Sequence, residues 1–385
     1  MPSDNLTEGS KVGPFFIRDS GAPSGSDKYK TLVVIHGFAW TSGTFARIFP
    51  IAPNFNTRLI LVSRRDYPGS ASLSEADREL LASCGSSSTQ AAQNIRQYMK
   101  GQARELHDFL CELATTRSLP RASKDSGIIL VGWSFGGVWI TALLAHLETF
   151  EADAMVLGTH IRKFILLDPP YYVFGFPHCP GLHTPVDDPS LSPGEGLSKF
   201  PEWVSAFYSH SIPPAFLSSP SANPDLEYST TALSDPPATF STLSAKEIED
   251  VISVGPALPE GSDGILFEAG HRLGLFEELR KEALYSAAPD RTKGYLVGNE
   301  ALEEKEIRWW QKLEVRVIWC DQSPWVFPWG IQALYKELED AKAEGRARAG
   351  EVKIVRMKGA NHFPHWEDPQ RALRALLAED STQEL

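Results

Sequence analysis

Short runs dominated by Val, Ile and Leu recur along the chain: TLVVIH at 31–36, RLILVS at 58–63, IILVG at 128–132, KFILLD at 163–168, VRVIWC at 315–320 and VKIVRM at 352–357. Runs that are apolar at consecutive positions, rather than alternating, predict strands covered on both faces, as in a parallel sheet between helical layers. FFIRDS at 15–20 fits an earlier edge strand. Helical patterning fills the spaces between them at 90–115, 135–147, 331–344 and 369–377, and the last of these opens with Asp368 as N-cap and Pro369 in the first turn. No internal repeat is visible.

The alternation stops between 169 and 312. That interval is rich in Pro, Ser and aromatic residues and shows helical pieces near 201–210, 244–254 and 271–285. A segment that long between two sheet strands is usually functional, for instance a lid. The predicted architecture is therefore α/β: a mostly parallel, doubly wound sheet with an inserted, mainly helical cap subdomain. Residues 1–168 and 313–385 would form the core and 169–312 the cap.

Composition narrows the partners. With 385 residues, 42% hydrophobic and 22% charged, the chain can bury one large core carrying an inserted subdomain. A formal charge of −12 argues against nucleic acid and anionic membrane surfaces, which need clustered Lys and Arg, and favours a small-molecule partner. Cys84, Cys111, Cys179 and Cys320 lack C-x-x-C spacing and fit free thiols in a reducing compartment. MPSDNLTEGSKVGPFF has no basic and apolar leader pattern, and no run approaches the roughly 20 apolar residues of a membrane span. A soluble, cytoplasmic protein is expected.

Against this background, Gly132-Trp133-Ser134-Phe135-Gly136 stands out. It matches G-x-S-x-G between a predicted strand and a predicted helix, the context in which that motif holds a serine on a strained turn. The glycines then have a cause, because side chains there would strike the adjoining strand and helix. A serine hydroxyl is a weak nucleophile near neutral pH, so a base, an orienting acid and oxyanion donors should accompany it. The base is sought on a late loop. KGANHFPHWEDPQ at 358–370 offers His362, nearer the strand end, with His365 in reserve. The oxyanion donors would be the backbone N–H groups of Phe135, after the serine, and Phe38, after strand TLVVIH; His36 is read as structural.

At these landmarks the sequence resembles the α/β-hydrolase superfamily: HGF at 36–38, SRRDYPGS at 63–70, GWSFGG at 132–137 and GANHFPHWEDP at 359–369. The resemblance covers roughly 15–168 and 313–378. It implies a cofactor-free serine hydrolase and a cap in the middle block. Relatives usually place their triad acid in G-x-x-D-P after the penultimate strand, but here the segment is Cys320-Asp321-Gln322-Ser323-Pro324, with Ser323 where the carboxylate is expected. Two replacements preserve the chain order, Asp168 at the end of KFILLD and Asp321 two residues early, of which Asp168 is preferred. Epoxide hydrolase and dehalogenase relatives carry aspartate where Ser134 stands, which disfavours those chemistries.

Aromatics at the start of the insertion, PPYYVFGF, and in SPWVFPWG suggest an apolar substrate held by area and shape, with Trp133, Tyr171 and Tyr172 as contacts. Trp309 and Trp310 are read as core. PHCPGLH at 177–183 has two histidines and a cysteine, but no third-ligand pattern nearby supports a metal. The expected activity is cleavage of a hydrophobic carboxylic ester or lactone. The rivals are an intramolecular acyl transfer forming a lactone, and a low-turnover binding protein on the same scaffold.

Overall fold

The computed structural model describes residues 9–150, 156–213, 227–285, 309–348, 350–379 and 384. Eight strands form one sheet: β1 (Ser10–Val12), β2 (Phe15–Asp19), β3 (Lys30–Ile35), β4 (Thr57–Ser63), β5 (Gly127–Trp133), β6 (Ile161–Leu167), β7 (Glu314–Cys320) and β8 (Val352–Met357). Their spatial order is β1-β2-β4-β3-β5-β6-β7-β8. β1 and β2 are antiparallel to their neighbours, and the remaining pairs are parallel. FFIRDS is not the edge, because Ser10–Val12 pairs outside it.

Every residue of β4 and β5 is buried. Successive strand residues point to opposite faces, so both faces of the sheet are covered. The covering helices are α1 (Glu75–Ala82), α2 (Thr89–Thr116), α3 (Gly137–His146), α4 (Pro193–Ser205), α5 (Ala245–Val251), α6 (Ser262–Arg272), α7 (Leu275–Leu284), α8 (Trp309–Lys312), α9 (Val326–Ala343), α10 (Pro364–Glu367) and α11 (Pro369–Leu377).

Local chemistry explains the boundaries. Asp368 caps α11 through the Arg371 N–H. Ser192 with Glu195, and Ser244 with Glu247, form capping boxes that start α4 and α5. The helix expected at 271–285 starts only at Leu275, because α6 ends at Arg272 and Gly274 turns the chain at φ +73°. α9 begins at Val326, before the expected 331: Pro328 falls in its first turn, where an amide N–H has no helical partner to lose.

α4 to α8 lie in the insertion between β6 and β7. Of these, α7 packs along α3, which in turn packs on α2. Trp310 is buried and Trp309 half-buried. Among the described residues, no helix is long and apolar enough to cross a membrane.

The topology chooses where a site can form. From β3 the chain steps to β4 on one side, and from β5 it steps to β6 on the other, so the carboxyl ends of β3 and β5 flank a crevice. The register aligns Ile35 with Gly132 and Trp133 with Leu167. The residues following these ends therefore meet at one edge of the sheet: Gly37 and Phe38, Ser134, and Asp168.

Candidate active site

Ser134 sits at φ +54°, a left-handed conformation uncommon outside glycine, on a 3-10 turn (Ser134–Gly136) leading into α3. The flanking glycines are forced by close backbone approach. A Cβ on Gly132 would lie 2.6 Å from the Gly136 carbonyl oxygen, and one on Gly136 would lie 2.6 Å from the Ile35 and 2.7 Å from the His36 carbonyl oxygens. Gly37 packs directly on the serine, since a Cβ there would be 2.9 Å from Ser134 Cβ.

Asp168, also at a positive φ of +45°, follows β6 and is wholly buried. Its Oδ1 accepts the Cys320 N–H at 2.8 Å. Oδ2 accepts the Ser323 hydroxyl at 2.6 Å and lies 2.7 Å from His362 Nδ1. The carboxylate can only accept in this contact, so Nδ1 carries the proton and the Nε2 lone pair is left on the opposite edge of the ring. Burial lowers the His362 pKa below its ordinary value, and the bond and charge of Asp168 oppose that shift. The imidazole is thus neutral near pH 7.

Asp321 is placed elsewhere. Its Oδ2 pairs with Arg356, whose Nε is 2.8 Å away, and its Oδ1 takes the Gly359 N–H at 2.6 Å. The guanidinium on β8 and the turn after it hold this carboxylate away from the His362 ring. Ser323, standing at the family's usual acid position, instead donates to Asp168. The signal for it was present in the sequence: a small hydroxyl where a carboxylate is customary leaves room for an acid from the neighbouring strand.

Trp133, expected as a substrate contact, is packed into the core among the described residues. It is fully buried, donates its indole N–H to the His362 carbonyl at 3.1 Å, and stacks on the His362 ring with centroids 4.8 Å apart. It thereby links Ser134, its neighbour in sequence, to His362. No hydrogen bond joins Ser134 and His362 directly among those of the described residues. His365, the reserve base, lies flat on Phe45 at 3.9 Å and edge-on to Trp133, with neither ring nitrogen bonded. Burial and the nearby His362 push its pKa well below the ordinary value. Asn361 ties the histidine loop to the insertion, donating to the Ser205 carbonyl at 2.7 Å and to the Thr239 hydroxyl at 2.8 Å.

Phe135 occupies the first turn before α3, where amide N–H groups lack helical partners. Among the described residues, none accepts the Phe38 N–H. The Phe38 ring meets Phe135 edge-on and joins Tyr171, Tyr172, Phe200, Trp203 and Phe267 around a closed cavity of about 20 Å³. That is roughly the room of one water molecule. Burial raises the pKa of both tyrosines, so each stays a neutral phenol. Two larger clefts, about 640 Å³ and about 480 Å³, are lined by neither Ser134, Asp168 nor His362. The small aromatic cavity is likewise lined by none of these three, and reaches the oxyanion loop only through Phe38.

His178, His183 and Asp187 each place a donor atom within 4.8 Å of the others, so Asp187 supplies the third group that the sequence pattern lacked. However, His178 Nδ1 is 2.8 Å from the Cys179 carbonyl and Nε2 is 2.9 Å from Asp187 Oδ2. Both ring nitrogens of His178 therefore already have partners within the chain.

A parallel sheet with a strained serine turn after its fifth strand and a buried carboxylate–histidine pair beside it defines the α/β-hydrolase class. The sequence pattern described as "Alpha/beta hydrolase family" matches residues 32–376, and the chain belongs to that family. No curated protein matches it. Among solved structures it is similar to a bromoperoxidase from Bacillus anthracis (14% identity, 96% of this chain and 99% of that one, TM-score 0.43). It is also similar to Cfl2 from Burkholderia cenocepacia (14% identity, 96% and 93%, TM-score 0.46). A third is Epoxide Hydrolase A from Mycobacterium thermoresistibile (12% identity, 96% and 96%, TM-score 0.43).

Proposed function

We propose that the chain is a serine hydrolase that cleaves a hydrophobic carboxylic ester or lactone through an acyl-enzyme. Ser134 attacks the carbonyl carbon, and His362 Nε2 takes the hydroxyl proton and returns it to the leaving alcohol. Asp168 holds the ring in the Nδ1–H tautomer and stabilises the imidazolium as it forms. The Phe38 and Phe135 N–H groups receive the oxyanion. Water then resolves the acyl-serine by the same proton route.

The observation that carries this reading is the 2.7 Å contact between His362 Nδ1 and Asp168 Oδ2, with Asp168 and Ser134 following register-matched strand ends. The open Ser134–His362 contact is compatible with it, because such bonds often tighten only with substrate in place. The insertion, 169–312, is read as the cap that shapes the acyl site, and Tyr171 and Tyr172 as its contacts. A substrate must displace part of the aromatic wall to enter.

The small, mainly aromatic cavity favours one second reading: an acyl-serine resolved by a hydroxyl of the same substrate, which would release a lactone. Incubation of the protein with candidate esters in ¹⁸O-water separates the two, since only hydrolysis places solvent oxygen in the acid product. A fluorophosphonate probe tests both. Labelling at Ser134 that is absent in Ser134→Ala is expected, and a folded chain that takes no label would leave only a binding protein.

A further inference from the structure

Behind the oxyanion loop lies a buried ionic network that the sequence motifs do not announce. Arg64, the residue after β4, is 3% exposed, and Asp263, from the first turn of α6 in the insertion, is equally buried. The guanidinium grips both carboxylate oxygens, at 2.5 and 2.6 Å. The same guanidinium donates to the Gly37 carbonyl at 2.9 Å and to the His36 carbonyl at 3.3 Å. Tyr67 completes the set: its hydroxyl donates to Asp263 Oδ2 at 2.6 Å and accepts the Ala39 N–H at 3.1 Å. Trp139 of α3 lies under the guanidinium, 4.2 Å from its centre.

Peptide geometry gives this arrangement a consequence. In a trans peptide the carbonyl and the next N–H point in opposite directions. Fixing the Gly37 carbonyl onto Arg64 therefore fixes the Phe38 N–H, which belongs to the same peptide plane, to point away from Arg64. The loop is clamped on its other side by the insertion as well. Thr41 N–H bonds the Val251 carbonyl at 2.8 Å, Ser253 N–H bonds the Ala39 carbonyl at 2.8 Å, and the Thr41 hydroxyl bonds the Asp250 carbonyl at 2.7 Å.

We propose that Arg64 and Asp263 are positioning residues: the ion pair between the core and the inserted segment sets the orientation of the Gly37–Phe38 peptide, and so makes oxyanion stabilisation depend on the docking of α6. This rests on the hydrolase reading above. Neither residue touches the reacting atoms. A carboxylate at 263 is needed because a buried guanidinium with only carbonyl partners would be uncompensated. A lysine at 64 cannot replace the fork, since one ammonium offers no planar pair of donors to span Asp263 and Gly37 together.

The test compares wild type, Arg64→Lys and the double variant Arg64→Met/Asp263→Leu, the last chosen because removing both charges leaves none stranded in the core. Turnover of a p-nitrophenyl ester, fluorophosphonate labelling rate, and hydrogen exchange of the peptide spanning 36–41 are measured on folded protein. The expected result is a loss of about 100-fold in kcat, the scale of one oxyanion donor, with KM within threefold and exchange accelerated at 36–41 but not in β5. A merely structural role would lower the melting temperature and leave kcat of the folded fraction alone. Wild-type kcat in the folded double variant, or unchanged exchange at 36–41, overturns the proposal. A wild-type chain that takes no label defeats the hydrolase reading instead, and the exchange arm still decides whether the ion pair orders the loop.

Discussion

Replacing Asp168 by asparagine is the most informative single change, because the structure dictates which way the amide must face. The Cys320 N–H, 2.8 Å from Oδ1, requires an acceptor, so the amide oxygen is held at that position and the NH₂ is forced to the Oδ2 position. There it meets His362 Nδ1, now 2.7 Å from a donor. The imidazole must give up its Nδ1 proton and carry it on Nε2 instead, the nitrogen that should receive the proton of Ser134. Asparagine tolerates the positive φ of position 168, so the backbone need not change. The expected effect is a loss of about 10⁴-fold in kcat, the scale seen when a triad aspartate becomes asparagine in another serine enzyme. Asp321→Asn should do the opposite. It leaves Arg356 only the more distant Glu384, at 3.5 Å, as a carboxylate partner and lowers stability by about 1–3 kcal/mol, while the folded fraction keeps its turnover. Hydrolysis of a p-nitrophenyl ester, paired with thermal unfolding of each variant, reads both. Asp168→Asn with kcat within tenfold of wild type would refute the tautomer argument and with it the assignment of the acid.

Other outcomes follow from the same geometry. The burial-lowered pKa of His362 places the acidic limb of kcat/KM below pH 6.5, and a midpoint at or above that value would contradict its desolvated setting. Folded His36, His362 and His365 all bind protons less readily than in the unfolded chain, so the stability they contribute is complete above about pH 6.5 and is lost as pH falls below it. The loss deepens as pH falls, and urea midpoints at pH 7.5 and 5.5 would reveal a flat profile if this is wrong. Trp133→Phe removes the indole N–H from the His362 carbonyl, and kcat should fall about fivefold to tenfold, one hydrogen bond's worth, with KM little changed. Gly132→Ala should destabilise the chain by about 1–3 kcal/mol or more, measured by chemical unfolding, because the added methyl meets backbone that cannot yield.

The strands, the serine turn and the helix after it were legible because they depend on neighbours in sequence. A run such as Ile128–Leu130 is apolar on both sides, and Gly132 answers a clash with Gly136 a few residues on, although Gly136 itself makes room for the distant Ile35 and His36 carbonyls. Chain order pointed to the late loop for the base, and His362 of that loop lies beside Asp168. By contrast, β1 was missed because a three-residue strand has too few positions to show a period. The insertion's helices were placed only loosely, since Pro, Ser and aromatic residues mask the period that a core-facing helix would display.

Sequence alone set the order of chemical groups along the chain and placed Ser134 on a turn between a strand and a helix, for those elements depend on residues near one another in the chain. Which carboxylate meets the histidine was decided in three dimensions. Asp168 and Asp321 differ there because parallel registry brings the end of β6 beside Cys320 and Ser323, while a β8 guanidinium captures Asp321. The pairing of Arg64 with Asp263, far apart in the chain, belongs to the same kind of knowledge. Burial makes such charges seek each other, and only the folded core determines which ones are within reach.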